Sequence, residues 1–242
     1  MKKLIAIFGL LIYVGSSAMA QAPEYNDLII LYADGNYEKL IREASKYNEK
    51  DDTKKDALPY LWLSKGLYAI SQVGDRDAMY KNAFKESVSA LGKFRKKDKD
   101  GTIYAENSEY VEEVKKAVLE AVYNEVDSKN YRKAVSQLMT YYKVMPDDLG
   151  GKYLEAASKY RENDKSGANY IWRDTEKRLA ALESIDGWSE NDKKLFKKGI
   201  LETAACYKDS KQDQKAKDAL NKVAQWYGDD ADFKAKYDEI VN

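Results

Sequence analysis

The stretch "NYRKAVSQLMTYYKVMPDD", Asn130 to Asp148, decides the fold. Tyr131, Ala134, Leu138, Tyr141 and Met145 recur at steps of three and four, which places them on one face of an α-helix. Pro146 closes the pattern, because proline lacks an amide donor and clashes with the preceding turn. A small residue, Ala134, stands between two bulky ones. That arrangement calls for close packing of another helix at this point, since a larger side chain would push the axes apart.

From Glu24 the chain breaks into pairs of helical stretches. The pairs are expected at about 24–33 with 36–48, 57–72 with 76–96, 108–127 with 130–145, 151–162 with 167–185, and 190–208 with 212–227. They are split by "DGN" (Asp34–Asn36), "VGD" (Val73–Asp75), "SKN" (Ser128–Asn130), "DKSG" (Asp164–Gly167) and a break around Ser210. A short last helix is expected at about 230–241. Valine at 111, 114, 118, 122 and 126 marks a buried stripe, and Leu195, Gly199, Thr203 and Tyr207 share a face in the fifth pair. Turns of two to four residues force neighbouring helices to run antiparallel. Five hairpins in series imply an all-α chain, an α-solenoid, with a closed up-and-down bundle as the alternative.

Hydrophobic residues make up 44% and charged residues 34% of the 242, which suits a folded, highly charged helical protein. Only three prolines, at 23, 59 and 146, interrupt the chain. The formal net charge is zero, which gives no electrostatic reason to expect nucleic acid or an anionic membrane as the main partner.

Residues 1–20 read as a cleavable signal peptide: Lys2 and Lys3, then the apolar run Leu4–Gly15, then "SSAMA" with Ala18-Met19-Ala20 as the small-x-small cleavage pattern. Cleavage is expected after Ala20, leaving 21–242 as a single exported helical domain, periplasmic or secreted. The apolar run is shorter than the ~20 residues of a spanning helix. No cysteine follows it to carry a lipid.

With a single cysteine, Cys206, no internal disulfide forms, and its place on a predicted helix reads as a small buried residue. The chain has no histidine, which removes Ser-His-Asp and Cys-His catalysis and ordinary His-containing zinc sites. The paired acids Glu112-Glu113, Asp147-Asp148 and Asp229-Asp230 read as helix ends and solvated faces, with nothing pairing them across a pocket. "DKDG", Asp98–Gly101, reads as a turn, since the glutamate that ends a calcium loop is missing. The lysine-rich runs Lys93–Gly101 and Asp192–Gly199 read as solvated helix faces. No cofactor and no metal is implied.

The Asn130–Pro146 stretch resembles the second helix of a tetratricopeptide repeat, with Tyr131, Ala134, Leu138, Tyr141 and Pro146 matching in spacing. Weaker copies are "GNYEKLIREASKY" (35–47), "YKNAFKESVSAL" (80–91) and "QDQKAKDALNKVAQWYGDD" (212–230). Taking Tyr37, Tyr80, Tyr131, Tyr170 and Asp213 as equivalents gives steps of 43, 51, 39 and 43, longer than the ~34 of the regular repeat. A HEAT-like array is the alternative.

The resemblance implies that the first helix of each pair lines a concave surface that holds a peptide. Carried through Leu40, it places Tyr25, Ile29 and Tyr32 there. With Gly66 as the small packing position, it places Tyr60, Leu63, Leu67 and Ile70 there. Counting back from Ala134 adds Lys116, Leu119 and Tyr123. The helix "LPYLWLSKGLYAIS", Leu58–Ser71, is apolar nearly all round, so it is either covered on both sides or exposes a patch. The expected function is a non-catalytic protein–protein interaction scaffold in a cell-envelope complex. Alternatives are an accessory component of outer-membrane secretion or gliding machinery of type IX kind, a helical carbohydrate-active enzyme, and a structural spacer.

Overall fold

The structure, a computed structural model, describes residues 24–241; the signal-peptide reading of 1–20 lies outside them. Thirteen α-helices and one 3-10 turn make up the described chain, with no strand among the described residues. The first hairpin is α1 (Asn26–Ala33) with α2 (Tyr37–Glu49). The second is α3 (Leu58–Ser71), the 3-10 turn Ala78–Tyr80, and α4 (Ala83–Lys97). A short α5 (Thr102–Glu106) fills the following connection. The third hairpin is α6 (Ser108–Asp127) with α7 (Tyr131–Tyr141), and the fourth is α8 (Leu149–Arg161) with α9 (Lys165–Ala180). The fifth is α10 (Glu190–Asp209) with α11 (Asp213–Asn221) and α12 (Ala224–Tyr227), capped by α13 (Ala231–Val241). The described residues are all-α, as the pattern predicts, and their hairpins are compatible with the expected α-solenoid.

Four hairpins share one turn. Gly35, Lys129, Asn163 and Lys211 adopt left-handed backbone, with φ of 69°, 58°, 67° and 58°. The next amide in each, from Asn36, Asn130, Asp164 and Gln212, reaches back to the carbonyl of Leu31, Glu125, Lys159 and Tyr207 at 2.7–2.9 Å. This is the Schellman closure, which satisfies the last carbonyls of one helix while reversing the chain into the next. The second hairpin departs from it: Asp77 caps a 3-10 turn through the Met79 amide (2.8 Å), and α4 starts only at Ala83.

The shared turn corrects the repeat register. The position equivalent to Tyr37, Tyr131 and Asp213 is Lys165; Tyr170 lies five residues later and is 69% exposed. Three residues beyond Tyr37, Tyr80, Tyr131, Lys165 and Asp213, the residues Leu40, Ala83, Ala134, Ala168 and Ala216 are each 1% exposed or less. Seven beyond, Ala44, Ser87, Leu138, Trp172 and Leu220 are buried as well. Ala134 is therefore one of five equivalent buried positions, filled by alanine in four hairpins and by Leu40 in the first. Pro146 does not end its helix: α7 stops at Tyr141, and 142–145 form a tighter turn before the proline.

Hairpins pack side by side, and glycines set the closest approaches. A Cβ on Gly199 would stand 2.5 Å from the Gly150 carbonyl, so α10 meets α8 at backbone distance. Beyond its neighbour α8, α10 also reaches α6. Lys115 meets Asp192 (2.7 Å), Asn191 meets Glu112 (2.8 Å) and Lys198 meets Asp127 (2.6 Å). These anchors lie along one face of α6 at helical spacing, so that face is covered by the fifth hairpin.

Candidate functional site: an aromatic face and a junction cleft

Of the expected concave positions, the structure covers most. Tyr25 is buried, donates to the Asp56 carboxylate and meets the Tyr47 ring edge-on at 5.0 Å. Tyr60 is buried in the central core, with Lys93 and Lys97 over its ring at 5.8 and 5.0 Å. Leu67 and Ile70 are buried against Tyr80 and Ala83, with Leu63 half-buried beside them. Leu119 is buried and Tyr123 half-buried, on the side of α6 that α10 covers, while Lys116 is exposed. Tyr32 is half-buried, and Ile29 is 46% exposed.

The register error on α3 has a simple cause. Gly66 is indeed a packing position: a Cβ there would touch Leu40 and Ile41 of α2 at 3.1 Å. Residues three and four away from a packing position share its face. Leu63 and Ile70 therefore turn inward with it, and Leu67, one residue on, is buried separately against Tyr80 and Ala83. The accessible face of α3 carries Trp62 and Lys65, which the sequence reading passed over.

Those two residues join Tyr32 of α1 and Tyr110 of α6 in one strip, with Tyr68 at its end. Tyr32 and Trp62 rings lie 5.5 Å apart, and Tyr68 meets Tyr110 edge-on at 6.0 Å. The Lys65 ammonium sits 4.7 Å from the Trp62 ring centroid and 5.4 Å from that of Tyr110, and it donates to Asn107 Oδ1 at 2.8 Å. Tyr110 is held from below by Ser64 Oγ at 2.7 Å. All five strip residues are half-buried and Glu113 beside them is exposed. Burial pulls the Lys65 ammonium below the usual lysine range, and no carboxylate forms an ion pair with it among the described residues. Burial, then the Glu113 carboxylate, pushes the Tyr68 phenol up to about 12. An ammonium held between two aromatic faces gains cation–π attraction but lacks a counter-ion.

A second feature lies where the hairpins converge. Tyr141 Oη is 3.2 Å from Asp148 Oδ2 and 3.4 Å from Asp192 Oδ1, so one phenol links two carboxylates. Acids that look like isolated helix starts in the sequence are thus brought together across a cleft, contrary to expectation. Asp148 still caps a helix, accepting from the Gly151 amide at 2.6 Å, while Asp192, in the first turn of α10, accepts through Oδ2 at 2.9 Å from Ser189, the cap of that helix. Lys115, 2% exposed, bridges Asp192 and Glu112 at 2.7 and 2.6 Å. Burial pulls its ammonium down, but those two carboxylates outweigh this and hold it above the usual lysine range. Burial pushes the Asp148 carboxyl up to about 6.

Cys206 is buried, with its thiol against the Ala157 carbonyl (3.6 Å) and pushed up to about 12 by burial. "DKDG" forms a turn, with Asp98 and Asp100 accepting from the Tyr104 and Thr102 amides. Among the described residues no group of three or more acidic or cysteine side chains is placed to hold a metal, and no helix is long and apolar enough to cross a membrane. Comparison with family models, curated proteins and solved structures finds no match for this chain.

Proposed function

We propose that the protein is an exported, non-catalytic scaffold that docks a protein segment on the Tyr32–Trp62–Lys65–Tyr110–Tyr68 strip, within a cell-envelope complex. The observation that carries this reading is Lys65, half-buried between two aromatic rings without an acidic partner. A partner that brings a carboxylate to Lys65 and an apolar side chain to Trp62 relieves the desolvated charge and covers aromatic surface in one step. Tryptophan and tyrosine are enriched among the few residues that dominate the affinity of protein interfaces. Export rests on the leader-like residues 1–20, and the tetratricopeptide resemblance supports a peptide-holding role for first helices.

Affinity capture from envelope extract tests the reading. Wild type is expected to retain a stoichiometric protein that Lys65→Glu with Trp62→Ser loses, while both chains show the same helicity. Equal capture by both, or by neither, contradicts it. The pair replaces half-buried residues and leaves Tyr60, a core residue, in place.

A further inference from the structure

The junction cleft holds a set of side chains that the docking role does not use. It has a volume of about 280 Å³ and is lined by Arg95 of α4, Asp147 and Asp148 before α8, Arg178 of α9, Trp188, and Asp192 of α10. Five separate segments converge on it. Both guanidiniums are pre-positioned by neutral groups. Arg95 donates to the Val144 carbonyl, lies 2.8 Å from Met145 Sδ and stacks 5.2 Å from the Tyr104 ring centroid. Arg178 donates to the Asp147 carbonyl. The arginine ion pairs among the described residues belong to Arg132 and Arg161, so neither cleft arginine is spent on a carboxylate.

The balance of charge narrows the ligand. Asp192 is paired with Lys115, which it shares with Glu112, so the two guanidiniums face the carboxylates of Asp147 and Asp148 and part of the charge of Asp192. A simple anion meets the acids, and a simple cation meets the arginines. Guanidiniums only donate and carboxylates only accept, so a matching ligand must do both over a short span. Neighbouring hydroxyls do so: each accepts from an arginine while donating to a carboxylate. Trp188 adds an aromatic surface for a ring's C–H face. The volume lies just below the range of drug-sized pockets, which limits the ligand to about one ring.

We infer that the cleft binds one neutral pyranose unit, with Arg95 and Arg178 donating to its hydroxyls and Asp147 and Asp148 accepting from them. This goes beyond protein docking and stands independently of it: the strip lies on α1, α3 and the start of α6, and the cleft shares no residue with it.

The test uses the full mature chain and the methyl glycosides of glucose, galactose, mannose and N-acetylglucosamine, with free glutamate and lysine alongside. Binding is followed by tryptophan fluorescence and by NMR up to about 20 mM, the range of a weak single-ring site. At least one methyl pyranoside is expected to bind and to lose its signal in Trp188→Phe. Arg178→Ala and Asp148→Asn are each expected to weaken it by about tenfold, the size of one charge-assisted hydrogen bond. Asparagine at 148 retains an oxygen for the Gly151 amide, so that variant keeps its helix cap. The inference is overturned if no methyl pyranoside binds, if both variants bind as wild type does, or if the free amino acids bind and the sugars do not.

Discussion

Lys129 occupies, in the turn between α6 and α7, the left-handed position that Gly35 occupies between α1 and α2. The two turns close with the same pair of backbone hydrogen bonds. A side chain in this conformation crowds its own carbonyl at about 1–2 kcal/mol, while glycine there loses part of the gain to chain entropy. Lys129→Gly is therefore expected to raise stability by about 0.5–1 kcal/mol, read as a higher urea midpoint with an unchanged slope. A lower midpoint would show that the turn is not the one described.

Gly199 and Gly150 test the tightest helix crossing. A methyl group on Gly199 would meet the Gly150 carbonyl at 2.5 Å and the Tyr153 Cβ at 2.8 Å. Backbone cannot yield as a flexible side chain can, so Gly199→Ala is expected to cost about 1–3 kcal/mol or more, despite the better helix propensity of alanine. Thermal unfolding checks this. A variant as stable as wild type would mean that α8 and α10 are further apart.

Asp148 predicts an inverted pH dependence. Its folded carboxyl titrates at about 6, whereas an unfolded aspartate titrates near 4. Between about pH 4 and 6 the folded chain holds the proton that the unfolded chain has lost, so this group's contribution falls as pH rises through that window. Asp148→Asn removes the titration and keeps the cap. Relative to wild type, the variant is expected to gain up to about 3 kcal/mol on going from pH 4 to pH 7, by urea unfolding at each pH. A constant difference across the window would contradict the burial of Asp148.

The hairpins are legible in the sequence because their signals are local: a helical stripe, a short turn, and an alanine near the start of the second helix in four hairpins of five. Cys206 is legible too, as a small residue on a buried stripe. What the sequence hides is set by contacts between hairpins. Lys115, next to Val114 on α6, is buried because α10 brings Asp192 to it. Asp148 and Asp192 belong to different hairpins, and only the reach of α10 past α8 to α6 brings them to one phenol. Trp62 and Lys65 were hidden by a half-turn of register: Gly66 marks the packing face of α3, and the open face is the one beside it. Tyr170 misled because an aromatic near a helix start imitates the repeat position that Lys165 fills.

Site-specific photocrosslinking in native envelopes measures the docking face directly. A photoreactive residue replaces Glu113, exposed beside the strip, or Arg132 of α7, whose side chain is 91% exposed, on the second helix of the hairpin. The account predicts one discrete protein adduct from position 113, absent from position 132 and lost when Lys65→Glu is added. Adducts of equal yield at both positions, or an adduct at 113 that survives Lys65→Glu, would contradict it.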